Sequence, residues 1–405
     1  MNSQQYIDRE LCYGAHNYHP LPVVLERGKG VFVWDVEGKQ YFDFLSAYSA
    51  VNQGHCHPRI IQSLIDQASK LTLTSRAFYN DSLGKFEQYL SALFGYDKVL
   101  AMNTGAEAVE TALKLARRWG YVKKGIPENE ALIVVCENNF HGRTITIISM
   151  STDPDSYSRF GAFTPGFIKI AYNDTAALEQ IIKEHGDNIA AFLLEPIQGE
   201  AGVFVPDEGY LSKCATLCKN NNILFIADEI QTGIARTGKM LACDHENVHP
   251  DVLILGKALS GGVLPVSAVL ANDDIMLTIK PGEHGSTFGG NPLACHVAIT
   301  ALDVVNDENL AEKAQYLGNV FRKKMAEINS PLIEQIRGKG LLNAVVIRKD
   351  AKISAWDICM EMKEQGVLAK PTHGHIIRFA PPLVITEDEL NSAVKLIKNV
   401  FDKYK

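Results

Sequence analysis

Nowhere in its 405 residues does the chain hold an apolar run long enough to cross a bilayer, so no helical membrane span is expected. It also lacks a basic block. Forty lysines and arginines against 47 acids leave a formal charge of -7, and without aromatic residues interleaved with basic ones, nucleic acid is not an expected partner. Internal repeats and low-complexity linkers are absent as well. The opening residues, MNSQQYIDRELCYGAH, have neither the apolar core of a secretory signal nor the Arg-rich, acid-poor character of a transit peptide, and a cytoplasmic location is the expectation. Eight cysteines are scattered through the chain, which suits buried thiols in a reducing compartment better than a disulfide framework. Cys214 and Cys218 lie one helical turn apart, and His55-Cys56-His57 resembles the start of a metal cluster. Neither group completes a ligand set, so no metal is expected.

What is present is an ordinary globular composition, 46% hydrophobic and 21% charged, in a chain long enough for a large domain with a smaller companion. Short apolar runs recur at VLAM (99–102), ALIVVC (131–136), AFLLE (191–195), ILFIAD (223–228), VLIL (252–255) and VSAVLA (266–271). They read as strands buried on both faces. Helical patterns such as AEAVETALKLARRWG (106–120) and LSKCATLCKNN (211–221) separate them, and that alternation predicts an α/β fold around a mostly parallel sheet. From about residue 295 the character changes: charged helical stretches surround short strand candidates at LLNAVVI and IIRFA. The expected organisation is a large domain over 46–294 and a smaller α+β domain formed by 295–405, with the N-terminal segment 1–45 packed on it.

In parallel sheets, ligands collect beyond the carboxyl ends of the strands. Just past each strand stand Thr104-Gly105-Ala106, Phe140 and His141, EPIQGE (195–200), Asp228-Glu229 and Lys257. Gly105 and Ala106 open a helix whose free N–H groups suit a phosphate, although small residues there also serve as a plain cap. Phe140 and His141 offer a flat aromatic surface, or belong to core and loop. Asp228 ends an apolar run, where a carboxylate needs a positive partner or a donor. Lys257 follows another such run; its ordinary role would be a surface amine on a buried stem. One ligand uses all four tools. Pyridoxal phosphate would set its phosphate on the helix N-terminus, its ring on Phe140, its pyridine nitrogen on Asp228 and its aldehyde on Lys257.

The stretches MNTGAEAVETALKLAR, NFHGRT, EPIQGEAGV, ADEIQTGIARTGK, GKALSGG and HGSTFGGNPLA resemble the class III, ω-amino-acting subgroup of fold type I pyridoxal phosphate aminotransferases. The resemblance runs from GAHNYHP to IIRFAPPL. It implies that Lys257 holds the aldehyde covalently, Asp228 pairs with the ring nitrogen, Gln231 bonds the ring 3-hydroxyl, and Ile230 and Phe140 sandwich the ring, with His141 alongside. Gly105, Ala106 and Thr287 would hold the phosphate, Thr287 from the neighbouring subunit, so a homodimer or a dimer of dimers is implied. GAHNYHPLPVVLERGKGVFVWDVEG and FDFLSAYSAVNQGHCHP are most similar to the members that take L-ornithine as donor and 2-oxoglutarate as acceptor, which yields L-glutamate and implies proline and arginine metabolism. Arg143 and Arg378 would then receive the carboxylates of the dicarboxylic acids. Glu200 would neutralise Arg378 while ornithine is bound, and Tyr18 and Tyr48 would engage ornithine's α-amino end. N-acetylornithine and 4-aminobutyrate are the alternative donors, and a non-catalytic cofactor-binding homologue is the remoter alternative. Ile230 stands where the subgroup often has valine.

Overall fold

The computed structural model describes residues 2–404. Strands β1 (Leu25–Lys29), β2 (Phe32–Asp35) and β3 (Gln40–Asp43) form an antiparallel meander. Next come β4 (Lys98–Met102), β5 (Leu132–Cys136), β6 (Phe167–Ile170), β7 (Ile189–Leu194), β8 (Leu224–Asp228), β9 (Val252–Leu255) and β10 (Ser267–Ala271), joined in one seven-stranded sheet of order β4-β10-β9-β8-β7-β5-β6. β5 to β9 pair in parallel, whereas β10 runs antiparallel to both β9 and β4. The sheet is therefore mostly parallel, as expected, and the run VSAVLA is its single reversed strand. FIKI, part-exposed and broken by Lys169, is the strand the apolar-run criterion passes over.

Both faces of this sheet are covered, which explains why its strands are uniformly apolar. Ile133, Val135, Leu193, Ile226 and Ile254 face one way, against Ala108, Val109, Ala112, Leu115 and Ala116 of the helix Gly105–Trp119. Their sequence neighbours Val134, Phe192, Leu194 and Phe225 face the other, against Leu178, Ile182, Leu211, Cys214 and Cys218. Cys214 and Cys218 are thus packing residues of the helix Tyr210–Asn220, and burial pushes both thiols up.

The chain closes with β11 (Ile333–Lys339), β12 (Leu342–Ile347), β13 (Val367–Leu368), β14 (Lys370–Thr372) and β15 (Ile376–Phe379). β11, β12, β15 and β14 form a third sheet, while β13 pairs in parallel with β3 and so ties the N-terminal strands to the C-terminal part of the chain. The change of character read near residue 295 falls inside one helix, Pro292–Asp307. Its Ala294, Val297, Ala298 and Ala301 share a core with Leu253 and Leu255 on one side and Phe321, Ile358 and Phe379 on the other. His55 and His57 each take a carboxylate, Asp43 at 2.8 Å and Glu308 at 2.9 Å, rather than facing one another around an ion.

Candidate active site

β4 runs in the same sense as β5 to β9, so the residues following all six strands arrive at one edge of the sheet. After β4, Thr104 adopts extended backbone and caps the helix Gly105–Trp119: its side chain accepts from Glu107 N, and Glu107 answers with a reciprocal bond. This capping box leaves the N–H groups of Gly105 and Ala106 without intrahelical partners. A Cβ on Gly105 would lie 3.0 Å from Ile230 Cδ1, so a larger residue there would press on Ile230 and narrow the helix start.

Two adjoining cavities meet at Gly105 and Lys257. One, of about 410 Å³, is lined by Ala50, Asn103, Thr104, Ser260 and the segment 262–266. The other, of about 150 Å³, is lined by Ala106, Phe140, His141, Gly142, Glu195, Asp228, Ile230 and Gln231. Lys257 follows β9 at a left-handed φ of +44°, a conformation that an L-residue holds only when its surroundings impose it. Burial lowers its pKa; Asp228, Glu200 and Glu195 pull in the opposite direction without cancelling that loss of solvent.

Asp228 is buried. Its Oδ1 accepts from Ile230 N at 3.1 Å, and its Oδ2 lies 2.6 Å from His141 Nδ1. Burial disfavours a charged imidazole, yet the Asp228 hydrogen bond and the negative charges of Asp228 and Glu195 outweigh it and raise the His141 pKa. His141, expected alongside the ring, lines the smaller cavity, and its covered side chain is turned onto Asp228. Phe140, expected as the aromatic plate, is half-buried on the smaller cavity, and the Arg143 guanidinium sits 5.6 Å from its centroid while donating to Ser156 Oγ. Glu195, quoted within a motif but given no role from sequence, proves central. Its two oxygens accept from Phe140 N and Gly199 N, and burial lifts its pKa to about 7.

At the other side, Arg378 on β15 is buried, with Nη1 2.9 Å from Glu200 Oε2 and its guanidinium 5.0 Å from the Tyr48 ring. Its Nε has no hydrogen-bond partner among the described residues. Gln231 donates to the Tyr48 carbonyl, so the expected residues Gln231, Tyr48, Arg378 and Glu200 do come together. Tyr48 is presented by four consecutive non-glycine residues, Ser46 to Ser49, all at left-handed φ between +46° and +72°. Asp43 Oδ1 pins the start of that turn through Leu45 N and Ser46 N. Behind it, fully buried Arg236 bonds Asn52 and the carbonyls of Leu341 and Pro381, locking the Tyr48 turn to the segment after β15; burial lowers its pKa to about 9.

Two expected residues stay outside. Tyr18 is 73% exposed, with Lys370 Nζ 6.0 Å from its ring, and Thr287 is exposed in the loop before the helix Pro292–Asp307. Neither lines the two cavities that meet at Lys257.

The donor set fits pyridoxal phosphate. A buried carboxylate held by His141 and Ile230 N lines the cavity, free N–H groups stand at a helix start, an aromatic ring and an isoleucine border the same space, and a desolvated amine completes it. Fold and site together define a pyridoxal phosphate-dependent transferase. The chain belongs to the class III aminotransferases, whose family description, Aminotransferase class-III, matches residues 13–401. It is 62% identical over 396 residues to the mitochondrial ornithine aminotransferase of Rattus norvegicus, covering 98% of this chain and 90% of that one. The solved ornithine aminotransferase of Toxoplasma gondii, with pyridoxal phosphate at partial occupancy, superposes with a TM-score of 0.98 at 52% identity, covering 100% of this chain and 95% of that one. A structure named acetylornithine aminotransferase, from Elizabethkingia anophelis, is 61% identical with a TM-score of 0.92 and full coverage of both chains. Among the described residues, no helix is long and apolar enough to cross a membrane.

Proposed function

We propose that the chain transfers the δ-amino group of L-ornithine to 2-oxoglutarate in two half-reactions at one site. The products are L-glutamate and glutamate 5-semialdehyde, which closes to pyrroline-5-carboxylate. The observation that carries this reading is the Glu200–Arg378 pair. A free arginine at this end of the cavity favours a second carboxylate, as glutamate and 2-oxoglutarate bring. Neutralised by Glu200, the same place tolerates ornithine. The two partners differ in freedom: the Glu200 side chain is 37% exposed and that of Arg378 only 4%. Glu200 is the member able to move, and Arg378 stays where β15 puts it.

Pyridoxal phosphate, when bound, supplies an aldehyde that accepts the amino group and a ring that takes up electron density from the substrate carbon. Asp228, oriented by His141, would pair with the ring nitrogen and keep it protonated. Gln231 would bond the ring 3-hydroxyl, Phe140 and Ile230 would flank the ring, and the N–H groups of Gly105 and Ala106 would hold the phosphate. Lys257, more often neutral than a solvated lysine because burial lowers its pKa, would hold the aldehyde when resting and, once released, would take the proton from the substrate carbon at its Nζ. Arg143 and Arg378 bind the substrate carboxylates. Tyr48 positions the α-amino end of ornithine. Thr287 and Tyr18, exposed on the single chain, would complete the site in a homodimer, Thr287 by reaching the partner's phosphate.

Visible absorption of the purified protein tests this reading. The cofactor band should fade when L-ornithine is added alone and return with 2-oxoglutarate. A band that ignores ornithine and fades with N-acetylornithine, the donor named for the Elizabethkingia anophelis relative, would move the donor to that compound; a protein that takes up no cofactor would sink the proposal.

A further inference from the structure

Glu195 directly follows β7 and is buried, and its carboxylate does two jobs at once. Oε1 accepts from Phe140 N at 2.9 Å, in the loop after β5; Oε2 accepts from Gly199 N at 3.1 Å, in the loop after β7. The first loop carries the aromatic plate and Arg143. The second carries Glu200. One further tie between these loops runs from buried Gln198, whose Nε2 donates to the Glu137 carbonyl at 2.7 Å. On its C-terminal side the second loop has ties of its own, from Thr372 Oγ1 to the Glu200 carbonyl at 3.0 Å and from Arg337 to the Gly202 carbonyl at 2.8 Å, so Glu195 holds the N–H side of Gly199. Gly199 itself has no slack: a Cβ there would lie 1.6 Å from Gln231 Oε1. Backbone movement at Gly199 therefore passes directly to Glu200, the next residue, and to Gln231 in the cavity wall.

We infer that Glu195 is a positioning residue for donor choice: by holding Gly199 N and Phe140 N on one carboxylate, it fixes the backbone from which Glu200 closes on Arg378. The inference rests on the ornithine reading above. The Phe140 half of the clamp acts on both donors, through the cofactor ring that Phe140 would flank and through Arg143, which would bind a carboxylate of either. The Gly199 half acts only when Glu200 must cover Arg378, that is, with ornithine and not with glutamate. Loosening the clamp therefore changes the ratio between the two donors, which general loss of packing would leave alone.

The test uses the holoenzyme and compares L-ornithine with L-glutamate as sole amino donors, each read as the rate at which the cofactor band fades. Glu195→Gln keeps the volume but sets an NH2 group against one of the two backbone N–H donors. The ornithine-to-glutamate ratio of kcat/KM should fall about tenfold, as expected for losing one hydrogen bond to a charged group. Adding Glu200→Gln to that variant should lower the ratio little further, since both changes act through one contact. Glu195→Asp, which retains charge but withdraws the carboxylate by one methylene, should also lower the ratio, and it decides the matter should the glutamine variant not accumulate. A ratio that stays within about twofold of the parent in whichever of these variants folds, whatever the absolute rates, overturns the inference. Failure of the parent to load from ornithine would instead sink the donor assignment, and the ratio taken with the ω-amine that does load would still judge Glu195.

Discussion

The Lys257 crevice and the segment 2–20 both hold residues expected to touch substrate, and the chain treats them in opposite ways. Around Lys257 every group is fixed by something buried: Asp228 by His141, Phe140 by Glu195, Tyr48 by Asp43 and Gln231. In the segment 2–20 no residue is buried; its helix Ser3–Tyr13 is tied through Ser3 to Glu37, and His19 stacks on Trp356. The crevice can store strain, such as the left-handed Lys257 and Ser46–Ser49, because a packed sheet surrounds it. In the exposed segment His16 also takes a left-handed φ, +51°, but with no packed sheet around it, and Tyr18 there faces solvent.

The comparison fails first if the crevice does not carry the chemistry. Lys257→Ala should lower turnover on the order of a thousandfold or more while cofactor still binds noncovalently, as read by steady-state rate and absorbance; a fully active variant would refute the assignment. Glu200→Gln should weaken ornithine use by about tenfold and leave 2-oxoglutarate unharmed. Equal losses for both substrates would separate Glu200 from donor choice.

Stability sharpens the contrast next. Glu229, buried beside Asp228, accepts from Cys243 N and Thr232 Oγ1, and its pKa is lifted to about 7 by burial. Because the folded value lies above the ordinary 4.5, its contribution is fully present below that pH and is lost as pH rises through about 7. Glu229→Gln should therefore flatten the fall in stability between those values, gaining about 1–3 kcal/mol at the upper end; chemical denaturation across that range measures it. Ala47→Gly should raise stability by up to about 1 kcal/mol, the left-handed penalty less glycine's extra chain entropy. A lower melting temperature in that variant would mean that the Tyr48 turn is not strained. The smallest effect belongs to the exposed segment: Tyr18→Phe should change stability by less than about 0.5 kcal/mol and shift only the preference among ornithine, N-acetylornithine and 4-aminobutyrate. A marked drop in melting temperature would show that Tyr18 anchors the segment instead.

Much of this molecule is legible in its sequence, because strand and helix periodicity, a glycine at a helix start, and an acid or a lysine at the end of an apolar run are local signals. They place Gly105, Ala106, Asp228 and Lys257 at strand ends, and the parallel sheet then brings those ends together. The reversed β10 and the strand FIKI were not legible, since direction is a property of pairing and a part-exposed edge strand has no apolar run. The partnership of His141 with Asp228 spans 87 residues and the Glu200–Arg378 pair 178, so only the folded chain could show their contact. Glu195 is the clearest case. As a letter in a motif it is one more acid; as a buried carboxylate accepting from two loops it organises the site. The sequence alone determined which chemical groups this protein carries and at which strand ends they stand. Tertiary structure decided which of them are desolvated, which are paired, and which are left facing outward, because those properties depend on neighbours that chain order does not contain.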